Sequence, residues 1–261
     1  MQTAILINRC AGYKFMPKQM TARRVFLSIK QLTYIFIPPQ AAAAIILCFA
    51  LYLMFSSQRR DSFLKYYLLH LFSLSVFLLL KPIQDSASFR DLSVYLLCFR
   101  MTVLFAISAP AVYLASLSLK RKVTLKALKL SFSCGVLLSI IHTLSYYVIS
   151  FNYAPKLALA PWYSREVSLM CQAIVGLFFI TAAANCFSQY NKNKALDKAF
   201  LLQFGLGTLL FGLVFSIASL SMKFSYIYIG AFLAAVISGV GVLMKIKRST
   251  QNLKGLNALL S

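Results

Sequence analysis

Seven long apolar stretches, separated by short connectors rich in Lys and Arg, set the terms on which this chain can fold. They fall at 34–55, 63–80, 92–118, 130–151, 166–187, 199–221 and 224–244. Their lengths bracket the roughly 20 residues that a helix needs to cross about 30 Å of hydrocarbon. The runs are continuous, whereas barrel strands alternate polar and apolar residues over about ten positions. In hydrocarbon a backbone must satisfy its own polar groups, and a continuous apolar run does so as a helix. The expected fold is all-α: a polytopic integral membrane protein, with a seven-helix transmembrane bundle over 34–244. A basic N-terminal tail (1–33) precedes it and a basic tail (245–261) follows.

Composition argues against the alternatives. Hydrophobic residues make up 60% of the 261 and charged residues 12%, against about 25% charged in soluble domains. A formal charge of +22 would suit nucleic acid only if the cations covered a polar surface. Here they sit between apolar runs, so the lipid bilayer is the expected partner and nucleic acid is not.

The cations also orient the bundle, because short loops rich in Lys and Arg stay in the cytoplasm. The turns after spans one, three and five and the C-terminal tail hold fifteen; the opposite loops hold five. The C-terminus is therefore expected to be cytoplasmic and the N-terminus outside. Six further cations, Arg9, Lys14, Lys18, Arg23, Arg24 and Lys30, fall on the external side by this reading. Three accounts of them compete: a tail lying on the membrane with Phe26, Leu27 and Ile29 in lipid, a start at Met16 or Met20, or a misassigned first span. No signal-peptide pattern is read at the N-terminus. Pro38 and Pro39 suit a first helical turn, with 34–40 an interfacial lead-in. Pro110 should kink span three.

Ionisable groups inside spans are costly and therefore candidates for function. Arg100 stands about nine residues into span three and His142 lies in span four, followed by Tyr146 and Tyr147. Glu166 opens span five, and Tyr226 and Tyr228 open span seven. The topology gathers all of them in the outer half. One reading is a ligand pocket open to the outside. Arg100 and His142 would hold an anionic or polar group there, with Tyr146, Glu166 and Tyr226 around it. The other is structural: Arg100 snorkels or pairs with Glu166 or Asp91, and His142 bonds a hydroxyl. His70 reads as structural, and Asn185 and Gln203 as glue that meets between spans five and six.

Small residues recur every fourth position: Thr208, Gly212 and Ser216 in span six, Gly230, Ala234 and Ser238 in span seven, with Ala231, Ala235 and Gly239 beside the latter. Such faces let helices approach closely, within one chain or in a homodimer. Five of the six cysteines lie in spans without CxxC spacing, which reads as hydrophobic packing. No catalytic residue, metal site or cofactor is expected, so the chain does not read as an enzyme. Paired intramembrane aspartates, HExxH and Gly-rich phosphate loops are missing, as is an opsin-type lysine between Phe224 and Met244. Pro39–Gln40 has no second Pro–Gln to match the two repeats of PQ-loop transporters.

The segment from span one into span two reads Ala50-Leu51-Tyr52-Leu53-Met54-Phe55, then Arg59-Arg60-Asp61, then Phe63-Leu64-Lys65-Tyr66-Tyr67-Leu68-Leu69. This aromatic helix end, Arg-Asp turn and Leu-x-Tyr helix start resembles the membrane region of bacterial seven-transmembrane receptors with diverse intracellular signalling modules. The resemblance covers about 30 residues in detail and the other spans by hydropathy and count. It implies a sensor in a bacterial cytoplasmic membrane whose seventh helix addresses a kinase, cyclase or regulator. With no output domain before Ser261, the expectation is a truncated or split sensor, or one that acts through a separate partner. A small transporter or channel component is the alternative, and a structural assembly partner a third.

Overall fold

The computed structural model describes residues 37–56, 61–86, 90–151, 165–192, 198–221 and 225–260. The chain divides near Ile37 into an N-terminal unit and a unit over Pro38–Ser261; the fold described here is the second. Its helices are α1 (Ile37–Ser56), α2 (Ser62–Ser86), α3, α4 (Leu125–Phe151), α5 (Arg165–Lys192), α6 (Lys198–Ser221) and α7 (Ser225–Leu260). Helix α3 runs as three consecutive pieces: Arg90–Thr102 in α geometry, Val103–Ser108 as π-helix, and Ala109–Lys120 in α geometry again. Among the described residues, seven helices are long and apolar enough to cross a membrane. The protein is an all-α seven-helix membrane bundle.

Local chemistry explains where the helices depart from the hydropathy pattern. Asp61 caps α2, its Oδ1 accepting the Leu64 N–H at 2.8 Å. Thr124 Oγ1 accepts the Ala127 N–H at 3.2 Å, so α4 starts at Leu125 rather than at the first strongly apolar residue, Leu130. Pro38 and Pro39 sit in the first turn of α1 as expected. Helix α2 does not stop at Leu80 but continues through Pro82 to Ser86. Nor does α7 end with the apolar run at Met244. Its 36 residues measure about 54 Å, so most of the basic C-terminal tail is the same helix.

Helix α3 is the buried axis: 72% of its span is enclosed, against 28% for α4. Exposed Ile45, Tyr52 and Phe55 on α1, and Leu130 and Leu137 on α4, face outward, where lipid replaces water as the solvent. Down the interior runs a continuous column of ring contacts. Phe63 meets Phe204 at 5.1 Å between centroids, Phe204 meets Tyr67 at 5.5 Å, and Tyr67 meets His70 at 6.2 Å. His70 meets Phe179 at 5.9 Å and Phe179 meets Phe211 at 4.7 Å. Phe211, Phe215, Phe105 and His142 complete the column, the last pair 5.0 Å apart.

Just before Pro110, the residue expected to kink α3, the helix widens into a π turn. The Ala109 N–H bonds the Leu104 carbonyl, five residues back. Pro110 has no N–H to give and its ring needs room over the preceding turn, which a π turn supplies. The widened turn is braced from α4. A Cβ on Gly135 would lie 2.5 Å from the Phe105 carbonyl oxygen and 2.8 Å from Pro110 Cγ, so only glycine lets α4 come this close. Beside it, Ser139 Oγ donates to Thr102 Oγ1 at 2.8 Å.

The small-residue rows pack inside the chain. Cβ atoms on Gly212 and Gly207 would lie 2.9 Å from Phe179 of α5 and 2.7 Å from the Ala234 carbonyl of α7. Ser216 faces Gly176 of α5, Gly230 faces Val214 of α6, and Ser238 faces Gly207. The second row turns Gly239 toward Phe49 of α1. Gly212, Ser216, Gly230, Ala234 and Ser238 thus serve helix packing within one bundle.

Alanine at Gly135 would add about 1 kcal/mol of helix propensity but overpack against a backbone oxygen, at about 1–3 kcal/mol. Gly135→Ala should therefore destabilise the bundle in reversible unfolding from mixed micelles. At Gly205 a Cβ would first meet the Phe187 ring, 2.9 Å away, and that side chain can turn aside. Gly205→Ala should be neutral or stabilising; equal losses at both positions would show that the π turn imposes no special closeness.

Candidate functional site

Helices that alternate in direction bring the end of α2, the starts of α3, α5 and α7 and the end of α4 to one end of the bundle. There they enclose a cavity of about 150 Å³, lined by Phe77, Lys81, Gln84, Leu97, Arg100, Met101, His142, Gln172, Ile227 and Tyr228. Arg100 is buried. Its Nε donates to the Phe77 carbonyl at 2.9 Å, its Nη1 donates to Gln84 Oε1, and its guanidinium carbon lies 4.6 Å from the Phe77 ring centroid. Pro82 explains part of this arrangement. It cannot bond the Leu78 carbonyl, so the last turns of α2 offer backbone oxygen next to the turn that Arg100 reaches.

Side-chain direction does the rest. Helical side chains lean toward the N-terminus, so Arg100, in the first half of α3, points toward the Gln84 end of the bundle. The helix that continues through Pro82 carries Phe77, Lys81 and Gln84 at i, i+4 and i+7, on one face. Lys81 Nζ lies 6.0 Å from the Tyr228 ring centroid. Across the cavity, Gln172 Nε2 lies 3.2 Å from His142 Nε2. Gln172 is 4% exposed, and its Oε1 is buried without a hydrogen-bond partner among the described residues.

A second set of polar contacts lies along the aromatic column. His70 Nδ1 and Ser108 Oγ are 2.8 Å apart, tying α2 to the end of the π segment. The Tyr67 hydroxyl and Ser238 Oγ are 2.8 Å apart, tying α2 to α7. Tyr67, His70, Thr208 and Ser238 border a void of about 10 Å³, room for roughly one water. At the far end, Lys245 Nζ of α7 donates to Asp61 Oδ2 at 3.0 Å and lies 4.5 Å from the Phe63 ring centroid.

Arg100 and His142 are thus brought together as the pocket reading required. The side chains of Tyr146, Glu166 and Tyr226 lie outside the described residues; Tyr228 takes the α7 place in the lining. Gln172, Gln84, Lys81 and Phe77 were not anticipated. Lys81 reads from the sequence as one of the five cations of the opposite loops, because the apolar run ends at Leu80. Extending α2 through the proline would have exposed the i, i+4, i+7 spacing. A glutamine at 172, well inside an apolar run, was a signal in its own right. His70 is structural but has a partner on α3. Asn185 does not meet Gln203: its Nδ2 donates to Ser116 Oγ of α3 at 3.3 Å, while Gln203 faces Gly241 of α7. Cys98, Cys171 and Cys186 are buried free thiols.

The chain matches no family model, no curated protein and no solved structure.

The Tyr67–Ser238 bond should be measurable, since a hydrogen bond typically contributes about 0.5–1.5 kcal/mol. Tyr67→Phe is expected to cost roughly that amount. A double-mutant cycle with Ser238→Ala in micelles should return a coupling of about 1 kcal/mol. Additive single losses would mean that the two hydroxyls are merely neighbours.

Proposed function

We propose that the chain is a membrane-embedded sensory module: a small polar or anionic ligand occupies the Arg100–His142 cavity and biases the packing of α7. One observation carries the reading. Helix α7 supplies Ile227 and Tyr228 to the cavity and, without interruption, Lys245 to the ion pair with Asp61 at the other end. A displacement of its first turns is delivered to its far end, because a helix with an intact hydrogen-bond ladder moves as a rod. The helix then continues to Leu260, carrying Lys247, Arg248 and Lys254 toward a cytoplasmic partner such as a kinase, cyclase or regulator. The likeness of 50–69 to bacterial seven-transmembrane receptors supports the same reading.

The interior favours a sensor over a transporter. Transport needs a polar path to alternate between the two faces, and the described interior is a packed column of rings from Phe63 to His142. The Asp61–Lys245 pair is the element on which two states would differ. It is half-exposed, with side-chain exposures of 52% and 27%. Such a pair is worth roughly 0–1 kcal/mol, weak enough to open when α7 shifts.

Two measurements test the proposal. Spin labels at Lys65 and Arg248, both exposed, report the α2–α7 separation by pulsed electron resonance in lipid nanodiscs. Partial filling of the cavity by Ile227→Phe should move the distance distribution by about 1–2 Å or more. Leu233→Phe, on the outward face of α7, should leave it in place. Identical distributions in both variants would sink the coupling. A reporter joined after Ser261 should be active in the cytoplasm; activity on the other side would reverse the direction of signalling.

A further inference from the structure

Five cations gather where α3 meets α4: Lys120, Arg121, Lys122, Lys126 and Lys129. All are exposed, and none forms an ion pair among the described residues. Residues 92–165 contain no Asp or Glu, so the chain supplies no neighbour in sequence to neutralise them. The connection between the two helices spans only 121–124, and the strongly apolar run of α4 begins at Leu130. The cations are therefore held at the border of the hydrocarbon. Helix stability does not account for them: a helix dipole favours anions in the first turn, where α4 carries Lys126 and no acid. The outward face of α4 continues directly from two of these cations. Lys126, Leu130, Leu137 and Leu144 stand at i, i+4, i+11 and i+18, with Lys129 and Ile140 beside them, a spacing that keeps all six on one side of a helix. Each is exposed, Leu130 at 73%. From Leu130 to Leu144 the apolar stripe runs about 21 Å, longer than the roughly 15 Å of hydrocarbon in one leaflet.

We propose that Lys126 and Lys129, with Lys122 of the preceding connection, bind the headgroup of an anionic phospholipid whose acyl chains lie along the Leu130–Leu144 stripe. Any phospholipid that lays a chain on this stripe brings its phosphate to the level of the lysines. Side chains three positions apart on a helix are neighbours, so both ammonium groups reach one phosphate. Helical side chains lean toward the N-terminus, which carries these two away from the apolar stripe and toward the headgroups. A zwitterionic headgroup opposes the lysines with its own cation, whereas a headgroup of net negative charge does not. Exposed Leu125 adds apolar surface at the same level. An acidic protein would cover the cations and leave the stripe unused, and a free phosphate would gain nothing from it. The lysines lie at the end of α4 opposite His142, so the assignment stands apart from the sensory reading of the Arg100–His142 cavity.

The test uses the full chain in a neutral detergent, with bound lipids resolved by native mass spectrometry. The first phosphatidylglycerol should bind about tenfold or more tightly than phosphatidylcholine with the same chains, since each cation near an anionic headgroup contributes about fivefold. This comparison needs no variant, so a folding defect cannot obscure it. Lys122→Gln, Lys126→Gln and Lys129→Gln together should weaken phosphatidylglycerol by about tenfold or more and leave phosphatidylcholine unchanged. A matched control removes the same charge elsewhere: Lys192→Gln, Lys194→Gln and Lys198→Gln together should change phosphatidylglycerol affinity by less than about threefold. Equal losses in the two triple variants would make net charge responsible and overturn the site. Equal binding of the two lipids to the unmodified chain would overturn selection by headgroup. Displacement of phosphatidylglycerol by an equal concentration of glycerol phosphate would assign the lysines to a free phosphate, and displacement by polyglutamate would assign them to an acidic protein; either overturns the lipid.

Discussion

Hydrocarbon offers no hydrogen bonds, and the architecture of this protein follows from that fact. Each backbone N–H and C=O within the bilayer must be answered by the chain itself, which makes helices of all seven crossings. Where regular α-helix is interrupted inside a crossing, something else must answer. Two such places stand out among the described residues, Pro82 in α2 and the π turn before Pro110 in α3. Both border the polar interior. Beside the first, Arg100 donates to the Phe77 carbonyl; at the end of the second, Ser108 meets His70. Backbone irregularity and buried polar side chains occur side by side at both places.

Arg100 shows how a charge is carried inside such a bundle. A cation at mid-membrane costs a few kcal/mol or more, yet this one is buried. Its direction along α3 takes it toward the bundle end rather than the centre. One face of the guanidinium lies against the Phe77 ring, and two of its donors are engaged by a carbonyl and an amide oxygen. Snorkelling and pocket formation, set against each other as readings of the sequence, are the same geometry: the side chain that reaches for polar company on α2 becomes one wall of a cavity. Helix α7 joins that cavity to the Asp61 end through a side chain at each, Tyr228 at one and Lys245 at the other.

Much of this was legible in the residues. The seven crossings and the meeting of Arg100 with His142 follow from hydropathy and from alternating helix direction, which force residues of similar depth to one end. Lys81, Gln84 and Gln172 were harder to see. Proline at 82 carries a strong local signal for a helix end, yet α2 continues through it to Ser86, where Arg100 of α3 bonds the Phe77 carbonyl and Gln84 Oε1. Gln172 meets His142, thirty residues away on α4, a pairing that no local pattern encodes. The tail after Met244 reads as a separate basic segment because hydropathy falls, although nothing in 245–260 breaks a helix.

The amino-acid sequence by itself determined that this chain is a bundle of seven membrane helices and roughly where along each span most of its polar residues fall. Those properties depend on local composition and on the fixed rise per residue of a helix. Only the tertiary structure decided which polar residues face one another: Gln172 toward His142, Tyr67 toward Ser238, Lys245 toward Asp61. Rotation of a helix about its axis is set by side-chain packing against its neighbours, such as the approach of Gly135 to the Phe105 carbonyl. An apolar helix in an apolar solvent carries almost no rotational preference of its own.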